Sequence, residues 1–368
     1  MKQSLYYLLF IFLFVYGCKE KDAPINDPPT DTNLEDLYFP PIGSDTWDKV
    51  SPETLSWDTS KISDLYQFMD DAGTRAFLVL KDGKIVLEHY NGKDILNLGN
   101  FNASSQWYWA SAGKTLTSFL VGQAQQQGYL QITDKTSSYL GDWTSTTSEQ
   151  QEKITIRNQL CMTSGLDDSG NSDCTEKSCL TYKADAGDRW AYHNAPYTIL
   201  DSVVQAATGQ NFDDYFNSEL RNPIGMEGEW RYVDYNHVYF STARSMARFG
   251  LLVLNRGDWN ETSILGDEIF YNQMVNTSQD LNKSYGYLWW LNGKESHQLP
   301  GLQFVIKKPI SANAPSDMIS GLGKNGQFLN IIPSQNLIVI RMGDNPDNSL
   351  VPTVFLNDMW EKLNTVIK

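Results

Sequence analysis

Histidine, cysteine and positive charge are all scarce in this chain of 368 residues. The four histidines, His89, His193, His237 and His297, stand apart from one another and from the four cysteines. No zinc-ligand spacing is present, and no metal or other cofactor is expected. Lys and Arg number 29 against 44 Asp and Glu, a formal net charge of −15, so a nucleic-acid backbone would be repelled rather than neutralised. Pro (14) and Gly (26) are too few for collagen or a low-complexity polymer, and no internal repeat is visible. Beyond the first apolar stretch, no run is long enough to span a bilayer. What the chain does have is 41% hydrophobic and 12% aromatic residues, enough for one large or two interlocked domains at this length.

The first apolar stretch, Leu5 to Tyr16, follows Lys2 and ends at Gly17-Cys18 before the charged segment Lys19–Asp22. As a helix it would be roughly 18 Å long, short of a ~30 Å hydrocarbon core, so it reads as an export signal. Val15-Tyr16-Gly17-Cys18 resembles a bacterial lipoprotein cleavage box, which implies lipidation at Cys18 and a membrane-anchored protein of the cell envelope, periplasmic or at the surface. Tyr16 departs from the small residue usual there, and plain secretion or an uncleaved anchor are the alternatives. Residues 19–45, with Pro24, Pro28, Pro29, Pro40 and Pro41 among polar residues, read as a flexible tether. Cys161, Cys174 and Cys179 would remain for an oxidising compartment. Cys174 and Cys179, five apart in a loop-like segment, are the first choice of disulfide, with Cys161 to either as the alternative.

Helical spacing marks Ser60–Ala72, and two strand-like runs, Arg75–Leu80 and Lys84–Tyr90, flank the hairpin turn Lys81-Asp82-Gly83. Helical patterns follow over Ala112–Gln127, Thr198–Ala207, Phe212–Leu220 and Thr242–Asn255. Strand patterns return at Ser284–Leu291, Gly301–Lys307, Gln327–Ile332 and Asn336–Met342, and Pro352–Ile367 closes the chain as an amphipathic helix. The expected fold is α/β in the α+β sense. An antiparallel sheet of N- and C-terminal strands (46–110 and 284–368), flanked by helices, would accept a mostly helical insertion (111–283) behind the leader (1–18) and tether (19–45).

Two glycine motifs fail on context. Gly113-Lys114-Thr115 lacks the earlier glycine of a phosphate loop, because Tyr108 stands there. Gly321-Leu322-Gly323-Lys324-Asn325-Gly326 matches a dinucleotide fingerprint but is followed by strand-like runs instead of a helix. No Gly-x-Ser-x-Gly elbow is present.

Ser111-Ala112-Gly113-Lys114 is the only Ser-x-x-Lys in the chain. Three residues of helix turn about 300°, so hydroxyl and amine share a face, and a lysine whose charge is suppressed can deprotonate the serine. Tyr192-His193-Asn194 and Lys324-Asn325-Gly326 follow in order. With these three motifs the chain resembles the serine β-lactamase and penicillin-binding-protein superfamily, more closely its class C-like branch of esterases, peptidases and amide hydrolases. Met162-Thr163-Ser164-Gly165-Leu166, Asn222-Pro223-Ile224-Gly225-Met226, Ser241–Gly250 and Tyr285–Trp290 resemble that branch's connecting segments.

The resemblance implies a serine hydrolase that cleaves a small-molecule or peptide-like ester or amide through an acyl-enzyme. It assigns Ser111 as nucleophile, Lys114 as base, Tyr192 as proton relay and Lys324 as a cation that keeps Lys114 neutral and favours a Tyr192 phenolate. Asn194, Asn325, Gly326 and Gln327 would bind substrate, and the backbone amides of Ser111 and Gln327 would form the oxyanion hole. D-Ala-D-Ala carboxypeptidase, β-lactamase and a catalytically retired ligand-binding lipoprotein are the alternatives. Asn325 replaces the Thr that binds a substrate carboxylate in penicillin-recognising relatives, and His193 replaces a small residue, so an esterase or amidase is preferred. Tyr215-Phe216-Asn217 repeats the second motif but has the apolar spacing of a packed helix, and Lys81-Asp82-Gly83 precedes the serine. Trp107, Tyr108, Trp109, Trp143, Trp190, Trp230 and Tyr232 are read mainly as core, with an aromatic cleft mouth as the alternative.

Overall fold

The computed structural model describes residues 36–347 and 349–367. The expected leader with Cys18, and the tether up to residue 35, lie outside the described residues. The remainder of the segment read as tether is not free. Tyr38 N donates to Asp82 O (3.0 Å), and the Arg248 guanidinium donates to the carbonyls of Pro40, Pro41 and Ser44.

Four runs of alternating or continuous apolar residues become the body of a sheet. β1 (Thr74–Lys81) and β2 (Lys84–Tyr90) form a hairpin whose turn residues, Asp82 and Gly83, both have positive φ (51° and 79°), the twist a two-residue hairpin requires. Next in the chain come β3 (Trp107–Tyr108), β4 (Glu229–Val233) and β5 (Asn236–Ser241), then a short ribbon of β6 (Asp258–Trp259) and β7 (Thr262–Ser263). The last four strands are β8 (Trp290–Leu291), β9 (Ile319–Gly323), β10 (Gln327–Ile332) and β11 (Leu337–Gly343). The main sheet has the order β2-β1-β11-β10-β9-β8 with every neighbouring pair antiparallel, so N-terminal β1 pairs with C-terminal β11 at its centre.

Both faces of this sheet are covered, which is why β10 and β11 are buried at every position. The helices in chain order are α1 (Ile62–Asp71), α2 (Lys114–Gln126), α3 (Ser137–Leu140), α4 (Ser148–Gln151), α5 (Ile156–Leu160), α6 (Asn194–Thr208), α7 (Phe212–Phe216), α8 (Ala243–Leu254), α9 (Glu268–Met274) and α10 (Thr353–Asn364). Helices α1 and α10 cover one face, where Phe355 stacks on both Phe68 and Phe328. Helix α8 covers the other. It approaches so closely that a Cβ on Gly250 would lie 2.9 Å from Leu329 and 3.1 Å from Ile338. Successive residues of β10, Phe328 and Leu329, thus serve opposite layers.

The middle of the chain is mostly helical as expected, but β3, β5 and β4 add a small antiparallel sheet there. Two other expectations need correction. Of Ser284–Leu291 only Trp290–Leu291 pairs as a strand, because Gly286 presses on Met274 O and Leu288 turns the chain at φ 63°. Gly301–Lys307 forms no strand, only an isolated bridge between His297 and Ile306. Conversely, Ile319–Gly323, which the sequence pattern does not mark as a strand and which overlaps the rejected dinucleotide motif, is a buried strand. Its glycines answer a need for close approach. A Cβ on Gly323 would lie 2.5 Å from Trp109 O and 3.0 Å from Ala112 N, and one on Gly321 3.3 Å from Ala112 O.

Candidate active site

Those glycines let the turn carrying Ser111 rest directly on β9. The turn is a 3-10 segment, Ala110–Gly113, that runs into α2. Ala110, just before the serine, is held at φ 48°, a left-handed conformation that costs an alanine about 1 kcal/mol and persists only where packing over-determines it. Ser111 is half-buried and Lys114 is buried, 2% exposed. Their side chains meet at 3.3 Å between Nζ and Oγ, as the i, i+3 spacing requires.

Lys114 has an apolar setting. Its Nζ lies 3.9 Å from the centroid of the Tyr197 ring and 5.3 Å from that of Tyr192. Burial pushes its ammonium down from 10.5 to about 7, against the pull of the Asp173 and Asp201 carboxylates, which favour the charged form. Desolvation is therefore what makes this amine a usable base near neutral pH. The expected agent was Lys324, and that expectation is corrected. Lys324 is exposed in the turn between β9 and β10, and its side chain makes no hydrogen bond or ion pair among the described residues.

Tyr192 sits in an aromatic box, stacked on Trp290 (5.8 Å, 21°) and edge-on to Tyr285 (6.2 Å). Burial raises its phenol well above the usual value, and a hydrogen bond with Ser111 only partly offsets this. The expected phenolate is thus also corrected. Tyr192 is a protonated phenol at neutral pH, able to donate a proton but not waiting to take one.

Asn194 is the first residue of α6. Its Nδ2 donates to Asp173 Oδ1 (2.6 Å), and its buried Oδ1 has no partner among the described residues. Asp173 is held beside Cys174, which forms a disulfide with Cys179, while Cys161 is free and buried. His193 is 3% exposed, and burial lowers it to about 4, so it is neutral near pH 7, with Nδ1 unpartnered among the described residues.

On the sheet side, Asn325 has a left-handed backbone (φ 64°), which asparagine tolerates, and its Nδ2 donates to Tyr108 Oη (2.8 Å). The Gln327 side chain is occupied structurally. Nε2 donates to Gly343 O (2.7 Å) and Oε1 accepts from Gly343 N (3.0 Å), so only the backbone of Gln327 is left for substrate. That backbone is near the serine turn. The same position at Gly323 that lies 3.0 Å from Ala112 N lies 3.2 Å from Gln327 Cβ. The tryptophans read as core, Trp107, Trp109, Trp143, Trp190 and Trp230, are all buried, whereas Tyr232 is exposed.

Tyr197, Asp173, Asp201 and Arg341 were not singled out from sequence. Asp201 interrupts an otherwise apolar helical run and Arg341 an otherwise apolar strand, and a charge within such a run was the available signal. Asp201 is buried and pairs with His237 Nδ1 (2.9 Å). Burial raises it to about 6, with the His237 hydrogen bond acting against the rise.

The family model described as Beta-lactamase matches residues 65–348. The chain belongs to the Beta-lactamase family. Among solved structures, it is similar to a putative 6-aminohexanoate-dimer hydrolase from Bacillus anthracis, with a TM-score of 0.65 and 18% identity over 92% of this chain and 91% of that one. A putative beta-lactamase from Bacteroides dorei DSM 17855 has the same TM-score, 0.65, at 17% identity, covering 84% of this chain and 99% of that one. These likenesses show the shared fold. Protein flp of Staphylococcus aureus (strain MW2) is 24% identical over 170 residues, 41% of this chain and 33% of the relative. The match thus spans about a third of that relative's length.

Proposed function

We propose that this member of the Beta-lactamase family is a serine hydrolase that cleaves an ester or amide through an acyl-enzyme on Ser111. The observation that carries the reading is the desolvated Lys114 amine 3.3 Å from the Ser111 hydroxyl, within a turn clamped to β9. Neutral Lys114 takes the serine proton as Oγ attacks the carbonyl carbon. The amides of Ser111 and Gln327 hold the resulting oxyanion. Tyr192, a protonated phenol, gives its proton to the departing alcohol or amine and is reprotonated from the Lys114 ammonium. Water then releases the acid and restores the Ser111 hydroxyl.

Among substrates, an ester or amide without an essential carboxylate fits best. Asn325 offers no hydroxyl, and its amide is engaged by Tyr108. Carboxypeptidase and β-lactamase activities are the next readings. We also propose an envelope location through lipid on Cys18, which the Cys174–Cys179 disulfide supports by fitting an oxidising compartment.

Incubation with a fluorophosphonate probe, followed by intact-mass and peptide analysis, tests the core of this reading. One adduct on Ser111, absent from Ser111→Ala, is expected; no adduct, or one that survives the substitution, refutes it. Turnover of nitrophenyl esters and anilides against a chromogenic cephalosporin then ranks the substrate classes.

A further inference from the structure

Three carboxylates and one guanidinium act electrostatically on buried His193, the neighbour of Tyr192: Asp168, Asp167, Asp173 and Arg189. Two of the carboxylates have cations of their own. Arg189 Nη2 donates to Asp168 Oδ1 (2.5 Å), and Lys183 Nζ lies 3.5 Å from Asp167 Oδ1. Asp173 has no ion pair among the described residues, and His193, neutral near pH 7, supplies no charge to it. One negative charge is left over beside the site. The positive end of α6 carries only a partial charge and does not neutralise a full carboxylate.

Asp173 is fixed against the first turn of α6. Ala195 N donates to the carbonyl of Ser172 (2.9 Å), Asn194 Nδ2 donates to Asp173 Oδ1 (2.6 Å), and the following residue, Cys174, is tied to Cys179. A carboxylate only accepts, so this contact decides which end of the Asn194 amide faces Asp173 and leaves the amide oxygen as the free end. That oxygen is buried with no donor among the described residues, and Asp173 Oδ2 accepts no hydrogen bond from them either. Both groups lack a donor, and one of them also lacks a counter-charge. They are close to the reacting atoms, since Asn194 is two residues from Tyr192 and the Asp173 charge acts on Lys114, whose Nζ is 3.3 Å from Ser111 Oγ. Lys114 is not the missing cation. Burial brings its ammonium down to about 7, so it is mostly neutral where it works as a base.

We infer that Asp173, with the Asn194 amide oxygen beside it, is a specificity-determining group that selects esters or amides carrying a primary ammonium. This rests on the acyl-enzyme reading above and names a substrate class for it. An ammonium brings three N–H donors and a positive charge, which answers both groups at once; a neutral substrate supplies no charge, and a carboxylate is repelled. The formal net charge of −15 adds a longer-range attraction for the same ligands.

The test measures kcat/KM for two matched series of increasing chain length. Aminoacyl p-nitroanilides against their N-acetyl counterparts place the ammonium on the acyl side, and N-acetyl diamines against N-acetyl alkylamines place it on the leaving side. In the parent the ammonium member of at least one series should be preferred about tenfold or more, the scale of one charge-assisted hydrogen bond, with the preference in KM and shrinking as salt is raised. Asp173→Asn keeps an oxygen for Asn194 Nδ2 but not the charge, and should bring the ratio close to one. Both members of a pair meet the same Lys114, so the ratio is insensitive to any change in the base. A parental ratio near one in both series, or a preference that survives in folded Asp173→Asn, overturns the inference; Ser111 labelling by a fluorophosphonate then leaves the hydrolase reading intact. If Asp173→Asn does not fold, Asp173→Ser carries the same comparison, and if neither folds the parental ratio and its salt dependence decide. Where neither series turns over, protection of Ser111 from labelling by alkylammonium ions over alcohols of equal length supplies the ratio, and equal protection overturns the inference. Failure of the parent to label at Ser111 overturns the hydrolase reading and this one with it.

Discussion

Replacing Lys114 by Met should abolish acylation and at the same time change how stability depends on pH. The side chain keeps its volume and its contacts with Tyr197 and Tyr192 but loses the amine. In the folded protein burial holds Lys114 at about 7, whereas an unfolded chain holds a lysine near 10.5. Between those values the unfolded state binds a proton that the folded state does not, so this group makes stability rise with pH. Below about 7 both states are protonated and the folded state carries the full cost of a buried cation. The shift from 10.5 to about 7 corresponds to about 5 kcal/mol across the window, and about 2–3 kcal/mol between pH 7 and pH 9. Urea unfolding of the parent and Lys114→Met at pH 6, 7.5 and 9, disulfide intact, reads this directly. The advantage of the Met variant should be greatest at pH 6 and shrink by roughly 1.4 kcal/mol per unit above pH 7. A difference that stays flat from pH 6 to 9 would mean that the folded amine keeps its proton, and the proposed base would be lost.

Tyr192→Phe retains the stacking on Trp290 but removes the phenol, and kcat should fall about 100-fold or more while thermal stability changes little; a variant at parental rate would exclude Tyr192 from proton transfer. Gly323→Ala puts a methyl group 2.5 Å from Trp109 O and 3.0 Å from Ala112 N, so Ser111 labelling should slow at least about 100-fold in a chain that still folds. Full labelling would show that the serine turn is not held by that contact. Asp201→Asn removes an anion that favours the Lys114 ammonium, and the acidic limb of the pH–rate profile should move to lower pH by about one unit. Movement to higher pH would contradict the electrostatics described for Lys114.

The central hairpin and last strands were legible because their information is local. The period of apolar residues marks Lys84–Tyr90 and Gln327–Ile332 at their observed bounds, and Asp-Gly marks the turn. Strand β9 was illegible because its glycines serve a neighbour more than two hundred positions earlier, and in isolation they look like a loop. The aromatic run Tyr285–Trp290 misled in the opposite way, since buried aromatics satisfy a core from irregular chain as well as from a strand. At the site, the i, i+3 relation of Ser111 and Lys114 follows from helix geometry, so the motif itself placed them together. The reason for a neutral lysine was not local. It is the burial of Nζ against Tyr197, a residue on another helix, and no charge count along the sequence distinguishes that from repulsion by Lys324. Tyr192 is the same case. Trp290 and Tyr285 surround it from a segment about a hundred residues later, and their low-polarity walls hold its proton in place.

Selective 13C labelling of lysine methylene carbons, with the Lys114 signal assigned by its loss in Lys114→Met, follows the ionisation of the proposed base in the folded protein. The account predicts a Cε titration with its midpoint near pH 7, coincident with the rise of Ser111 acylation. A midpoint near the ordinary 10.5, or an acylation rate indifferent to that titration, would contradict it.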